Sequence, residues 1–396
     1  MPREAPYPPA RLKPLSPAPP PNPSNGGILL GQGFYWNPLT LPNPHVVVIG
    51  ASGSGKTQTL KALAYELSRH TNVSVRLIDF HGDQSLPGET VYHMNMSSPW
   101  GINPLVLNLD REGGGPNLQA IQVSLLLRKA LTLGPIQEAL LLKTLRDLYR
   151  ELGIRQEDPE TWKREPPNFS HLEKALQRQI EAGNTDFLKL QTKLEPTFSY
   201  GIFSRPQPDL TAPLIRIDVS KLPPTLGAIA SESLAHQLMN QHRLAGETRQ
   251  PKTFLFIDEA KEMPRGTEAA LNRIILDGRK YGLGLVLASQ SERHLSKEVI
   301  ANSATKIVLP VDQTEVRAVA HKFRFAEHLI AQLQPLTALV RLGNQAAHVE
   351  ILPYYRRLSL EEAHPQPQAD RKGENGLPDS GRPTPRLELH PKTAVR

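Results

Sequence analysis

Short unbroken runs of apolar residues recur along this chain, and between them the apolar positions fall at helical spacing. Residues 46–49, Val-Val-Val-Ile, are the first such run, and similar runs lie within 73–80, 214–220, 253–257, 284–289 and 302–310. Runs of this length without alternation mark strands covered on both faces, as in a parallel sheet. Apolar residues at i, i+3 and i+4 follow over 58–68, 226–244, 266–281 and 314–325. Strands and helices in this alternation predict an α/β domain with a mainly parallel sheet flanked by helices. From 116 to 201 the pattern changes. Segments 119–133, 136–152 and 171–182 keep helical spacing with no strand between them, separated by Gly134-Pro135 and the polar stretch 157–168. They predict an all-helical insertion over 116–201 in a core made of 28–115 and 202–357. Hairpins are predicted over 28–38 and between 338–342 and 348–352. Residues 1–27, rich in proline, and 358–396, rich in proline, glutamine and charge, lack periodicity and are expected to be disordered.

Composition narrows the chemistry. The absence of cysteine excludes a disulfide framework, a thiolate metal site and a cysteine nucleophile. A net charge of +7 suits a polyanionic partner without requiring one. No stretch approaches the ~18 to 20 apolar residues of a membrane span, and the N-terminal region has no apolar signal core, so a cytoplasmic protein is expected.

The first buried run flows directly into Gly50-Ala-Ser-Gly-Ser-Gly-Lys-Thr57, which fills the pattern G-x-x-x-x-G-K-[ST]. Glycines let backbone N–H groups close around a phosphate, and the positive end of the following helix favours the anion. Gly50, Ala51, Ser52, Gly53, Ser54, Gly55, Lys56, Thr57 and Gln58 are therefore the candidate nucleotide-binding residues, with Lys56 neutralising phosphate and the Thr57 hydroxyl ligating Mg²⁺. A chance glycine turn would not have a buried strand before it and a helix after it.

Strand 253–257 ends in Asp258-Glu259. Beside a phosphate loop, the aspartate is placed to hold the Mg²⁺ shell and the glutamate to deprotonate or orient a water. For several other positions two readings stay open. Asp79 ends a strand and either acts on the nucleotide site or caps a turn. Gln290 either senses the γ-phosphate or caps a turn. Arg279 either reaches a neighbouring subunit's phosphate or complements a helix end. Tyr35 and Trp36 either stack on adenine or cover the sheet edge. His81 has no metal partner at ligand spacing and reads as structural. Basic residues of the insertion, such as Arg128 and Lys143, read as a solvated face.

The phosphate loop, Phe256-Ile-Asp-Glu-Ala260 and the block Gly278-Arg-Lys-Tyr-Gly-Leu-Gly-Leu-Val-Leu-Ala-Ser-Gln290 together resemble the HerA/FtsK superfamily of hexameric P-loop translocases. Asp79-Phe-His-Gly-Asp83 resembles a segment of HerA-like proteins, and Gly101-Ile-Asn-Pro-Leu105 one of type IV secretion and coupling ATPases, which also insert a helical domain at this point. The resemblance implies a RecA-like core, ATP and Mg²⁺, a homo-hexamer, and double-stranded DNA moved without regard to sequence. It assigns Lys56 and Thr57 to phosphate and metal, Asp258 to metal, Glu259 as catalytic base, Gln290 as sensor and Arg279 as a finger acting in trans. Lys261, Arg265, Arg293 and Lys297, on the loops after strands 253–257 and 284–289, are the candidates for tracking DNA phosphates. The first 45 residues leave no room for the β-barrel of HerA proper, and no membrane helix of the FtsK kind is visible, so a soluble motor core with a nuclease, secretion or packaging partner is expected. The alternatives are a secretion-type ATPase acting on protein partners and a P-loop switch with little turnover. An intact Glu259 speaks against the switch.

Overall fold

The computed structural model describes residues 27–31 and 33–363, together with Leu12–Lys13. Its strands are β1 (Leu12–Lys13), β2 (Ile28–Gly31), β3 (Phe34–Trp36), β4 (Val46–Ile49), β5 (Ser74–Asp79), β6 (Thr90–His93), β7 (Leu214–Asp218), β8 (Thr253–Ile257), β9 (Leu283–Ser289), β10 (Thr305–Val308), β11 (Thr337–Leu342) and β12 (Gln345–Glu350). The α-helices are α1 (Lys56–His70), α2 (Pro116–Leu131), α3 (Pro135–Glu151), α4 (Phe169–Glu181), α5 (Thr185–Ser199), α6 (Pro224–Ala245), α7 (Ala270–Asp277), α8 (Lys297–Asn302), α9 (Val316–Phe323), α10 (Glu327–Ala331) and α11 (Tyr354–Ala363).

One sheet runs in the order β1-β12-β11-β10-β4-β9-β8-β5-β7-β6, and β2 pairs with β3 in a separate hairpin. From β10 to β6 every neighbouring pair is parallel, and β11 and β12 return antiparallel at one side. Strands β4, β8 and β9 are buried along their whole length, as their unbroken apolar runs predict. The two-residue period of a strand divides them between two cores. Val46 and Val48 pack with α1 residues Leu60, Leu63 and Leu67 on one face. Val47 and Ile49 join the core under α6 and α7 on the other, which is continuous with the core of the insertion.

Helices α2, α3, α4 and α5 follow one another between β6 and β7, where the insertion is expected, and residues 101–105 stitch them to the core. The Ile102 N–H donates to Ile202 O at 2.9 Å, the Asn103 amide donates to Pro167 O at 2.8 Å, and the Tyr149 hydroxyl donates to Leu105 O at 2.7 Å. From the core side, the Gln237 amide donates to Asn103 O at 2.8 Å.

Several elements depart from the expected pattern. Strand β6 and helices α5 and α10 were not predicted. The helix expected over 266–281 is shortened to α7 and a 3₁₀ turn, Gly278–Tyr281, because Gly266 sits at φ 127° and the chain enters α7 only where Glu232 accepts the Ala270 N–H. Within the arm expected to be disordered, Leu12 and Lys13 pair with Ala346 and Ala347; the rest of 1–26 lies outside the described residues. The tail expected from 358 instead begins as α11, which runs to Ala363, while 364–396 are likewise outside them. Trp36 is fully buried, edge-on to Phe254, with its indole N–H donated to Thr305 Oγ1 at 3.0 Å. That corrects both the adenine and the sheet-edge readings for this residue. Among the described residues, no helix is long and apolar enough to cross a membrane.

Candidate nucleotide site

The loop between β4 and α1 opens at the carboxyl end of the parallel strands, where an α/β sheet exposes ligand sites. Gly55 precedes the helix at φ 106°, a left-handed conformation that favours glycine. Gly50 faces a different constraint: a Cβ there would lie 2.4 Å from Ser54 Oγ and 2.8 Å from Leu309 Cβ. A cavity of about 440 Å³ lies over this loop, lined by Ser52, Gly53, Gly55, Lys56, Thr57 and Gln58 on one side and by His81, Asp83, Asp258, Glu259 and Gln290 on the other. Gly50, Ala51 and Ser54 shape the loop from behind. The Lys56 ammonium donates to Ala51 O at 2.8 Å, folded onto its own loop. Burial, aided by the Lys261 charge and opposed by Glu259, pulls the Lys56 pKa below its ordinary value.

Strand β8 delivers its two carboxylates into this cleft in different ways. Asp258 accepts the Phe80 N–H at 3.2 Å through Oδ1, while its buried Oδ2 has no partner. Burial first, then the charges of Asp79, Asp83 and Glu259, raise the Asp258 carboxyl well above the usual carboxylate range. Such a group is stabilised by a cation. Oxygens of Asp79, Asp83 and Asp258 lie within 4.8 Å of one another, and the Thr57 hydroxyl is 3.4 Å from Asp83 Oδ2. An all-oxygen donor set around an orphaned carboxylate fits a hard divalent cation such as Mg²⁺.

Glu259 is 1% exposed, and its Oε2 accepts the Gln290 amide N–H at 2.9 Å. Gln290 therefore positions the glutamate across the cleft instead of capping a turn. His81 stands behind the same oxygen at 3.9 Å. Oε1 of Glu259 is buried without a partner.

Asp79 organises the loop after β5, in keeping with its turn-capping reading, and also lies in the carboxylate cluster with Asp83 and Asp258. Fully buried, it accepts N–H groups of His81, Gly82 and Gln84 and a guanidinium N–H of Arg216 at 3.1 Å. The residue it presents to the cleft is Asp83, which the sequence reading left out. The signal was there, since Asp83 closes the same Asp-x-His-Gly-acid segment.

Arg279 is absent from this cleft. It sits in the 3₁₀ turn before β9, and its charge acts on His45, the residue before β4, at the opposite edge of the sheet from the phosphate loop. The basic loop residues divide. Lys261 lies close enough to depress the Lys56 pKa, whereas Arg265 and Arg293 meet around a second cavity of about 140 Å³, Arg265 Nη1 donating to Arg293 O at 3.4 Å. Lys297 is exposed at the start of α8.

Fold and cleft together define a P-loop nucleotide hydrolase. The family described as Helicase HerA, central domain, matches residues 39–217. Among solved structures, VirB4 of Thermoanaerobacter pseudethanolicus superposes with a TM-score of 0.71 at 19% identity, covering 83% of this chain and 97% of that one. The bacterial conjugative coupling protein TrwB, in its unbound monoclinic form, gives a TM-score of 0.58 at 16% identity over 83% and 88% of the two chains. TrwB in complex with ADP and Mg²⁺ gives 0.54 at 17% identity over 80% and 88%. No curated protein matches the chain in sequence. The HerA central-domain match covers residues 39–217, and the superpositions show that the chain shares the fold of these proteins.

Proposed function

We propose that this ATPase works as a homo-hexameric ring motor that moves double-stranded DNA without reading its sequence, in the cytoplasm. The observation that carries the reading is the pairing of Glu259 with Gln290 opposite the phosphate loop: a buried carboxylate that lines the cleft keeps one oxygen without a partner while the other is held by the residue after the neighbouring strand. With ATP in the cleft, backbone N–H groups of 52–57 and the Lys56 ammonium hold the β- and γ-phosphates. Mg²⁺ held by Thr57, Asp258 and Asp83 would draw charge from the phosphate oxygens. Glu259 Oε1 accepts the proton of an attacking water, and burial of the site keeps bulk water from competing. Gln290 links Glu259 to the loop after β9, so loss of the γ-phosphate is transmitted to the segment that carries Arg293. Arg265 and Arg293, on the connections leaving the same edge of β8 and β9, and Lys297, at the start of α8, supply the positive charge that tracks a phosphate backbone.

The test is steady-state ATP hydrolysis with and without long double-stranded DNA, with Glu259→Gln as control. DNA stimulation that vanishes in the variant supports the motor, and turnover indifferent to DNA overturns it. A secretion-type motor acting on protein partners is the second reading. The likeness to VirB4 favours it, because it covers more of this chain than the α/β core alone can supply and so takes in the helical insertion.

A further inference from the structure

The phosphate loop accounts for the triphosphate and leaves open what receives the base. Two residues with no part in the chemistry stand beside it. Leu336 adopts φ 65°, a left-handed conformation rare for a branched side chain, and it is clamped there: its N–H donates to Ser54 O at 3.1 Å and its carbonyl accepts the Ile351 N–H at 2.8 Å. The clamp turns the Leu336 side chain onto the loop, where its Cδ2 would lie 2.7 Å from a Cβ built on Gly55. Strain of this kind persists only where the surroundings enforce it.

The second residue is Tyr355, at the start of α11. Its backbone N–H reaches Gln58 Oε1 at 3.4 Å, two residues beyond the phosphate-loop lysine, and the residue is 49% exposed. The helix carrying it is fixed firmly for so exposed a residue. Arg357, 4% exposed, pairs with Glu66 of α1 and donates to Leu29 O and Leu352 O, while Tyr354 packs edge-on to Tyr65. An aliphatic side chain packed on the phosphate loop and an aromatic residue tethered to the first turn of α1 are the kind of pair on which a heteroaromatic base stacks.

We propose that Tyr355 and Leu336 form the nucleobase subsite of this ATPase, Tyr355 stacking on the purine ring and Leu336 packing at its edge. The assignment rests on the nucleotide reading of the cleft. It explains why a tyrosine lies half exposed on an anchored helix, and why the chain strains a leucine against its phosphate loop.

The full-length chain, with Mg²⁺, would be titrated by calorimetry with a non-hydrolysable ATP analogue and, separately, with inorganic tripolyphosphate, which lacks a base. Stacking predicts that Tyr355→Ala weakens the nucleotide roughly tenfold, leaves tripolyphosphate unchanged, and raises KM for ATP with kcat preserved. Tyr355→Phe, which keeps the ring, restores binding. An unchanged affinity for the nucleotide, or an equal loss for both ligands, overturns the subsite. A wild-type chain that binds neither overturns the nucleotide site itself and the subsite with it.

Discussion

Two buried residues show how differently burial acts within one sheet. Glu259 is buried beside a phosphate site and retains an unpartnered oxygen, so its environment serves chemistry. Glu259→Gln keeps the shape and removes the base, and kcat is expected to fall by roughly 10² to 10⁴ while ATP still binds; equal turnover in a single-turnover assay would remove Glu259 from the mechanism. His45 is buried for packing alone. Its Nδ1 accepts the Leu285 N–H at 3.2 Å and its Nε2 has no partner. Burial, joined by the Arg279 charge, pushes its pKa down to about 4. An unfolded histidine takes up its proton near the ordinary value, so the unfolded chain binds more protons over the interval between. Stability from the neutral ring is therefore complete above about pH 6.5 and is lost as pH falls toward 4. The stability gap between the wild type and His45→Asn should narrow by roughly 2 kcal/mol from pH 7 to pH 5, measured by denaturant unfolding at both values. A gap that stays constant would place the acid sensitivity elsewhere.

Elements differ in how much of them the sequence exposes, and the reason is where each finds its stabilisation. Strands β4, β8 and β9 were readable because burial on both faces leaves no polar position to break the apolar run. The same rule made the phosphate loop, Asp258 and Glu259 legible, since each sits where such a strand ends. Strand β6 was not, for Thr90-Val-Tyr-His93 is half exposed at the sheet's edge and is held by pairing with β7. Helix α5 hid because it has Pro196 inside it and is kept helical by packing against α3 and α4. Asp83 and the buried role of Trp36 depended on partners distant in sequence, Thr57 for one and Thr305 for the other. Helix α11 belongs to this class too, because its anchor is the pairing of Arg357 with Glu66. Arg357→Met should cost about 3 kcal/mol, since it strands a carboxylate and two carbonyls. In a double-mutant cycle with Glu66→Gln, the two losses should fail to add. Strict additivity in chemical denaturation would mean that the pair does not hold the helix.

At the scale of the whole molecule, the parallel sheet separates two functions by its length. The groups proposed to bind phosphate gather at the carboxyl ends of β4, β5, β8 and β9, while Arg279 is exposed at the other edge, and its neighbour Lys280 is engaged by Glu247 at 2.9 Å. An arginine so placed cannot serve its own cleft, so a catalytic role for it requires a second copy. That requirement gives a test independent of DNA. Arg279→Ala should abolish hydrolysis while leaving ATP binding intact, because the binding groups are elsewhere; Lys56→Ala should abolish both. Subunits of the two inactive variants, mixed before assembly, recreate a working site wherever an intact cleft meets an intact Arg279, which at equal amounts is about a quarter of the interfaces of a cyclic ring. ATP turnover regained on mixing, at up to that fraction of the wild-type rate, establishes that the site is shared between copies. Mixtures as inactive as their components, in assemblies shown by sedimentation to contain both variants, would return Arg279 to the simpler role of complementing a helix end, and the ring would need another residue to complete its cleft.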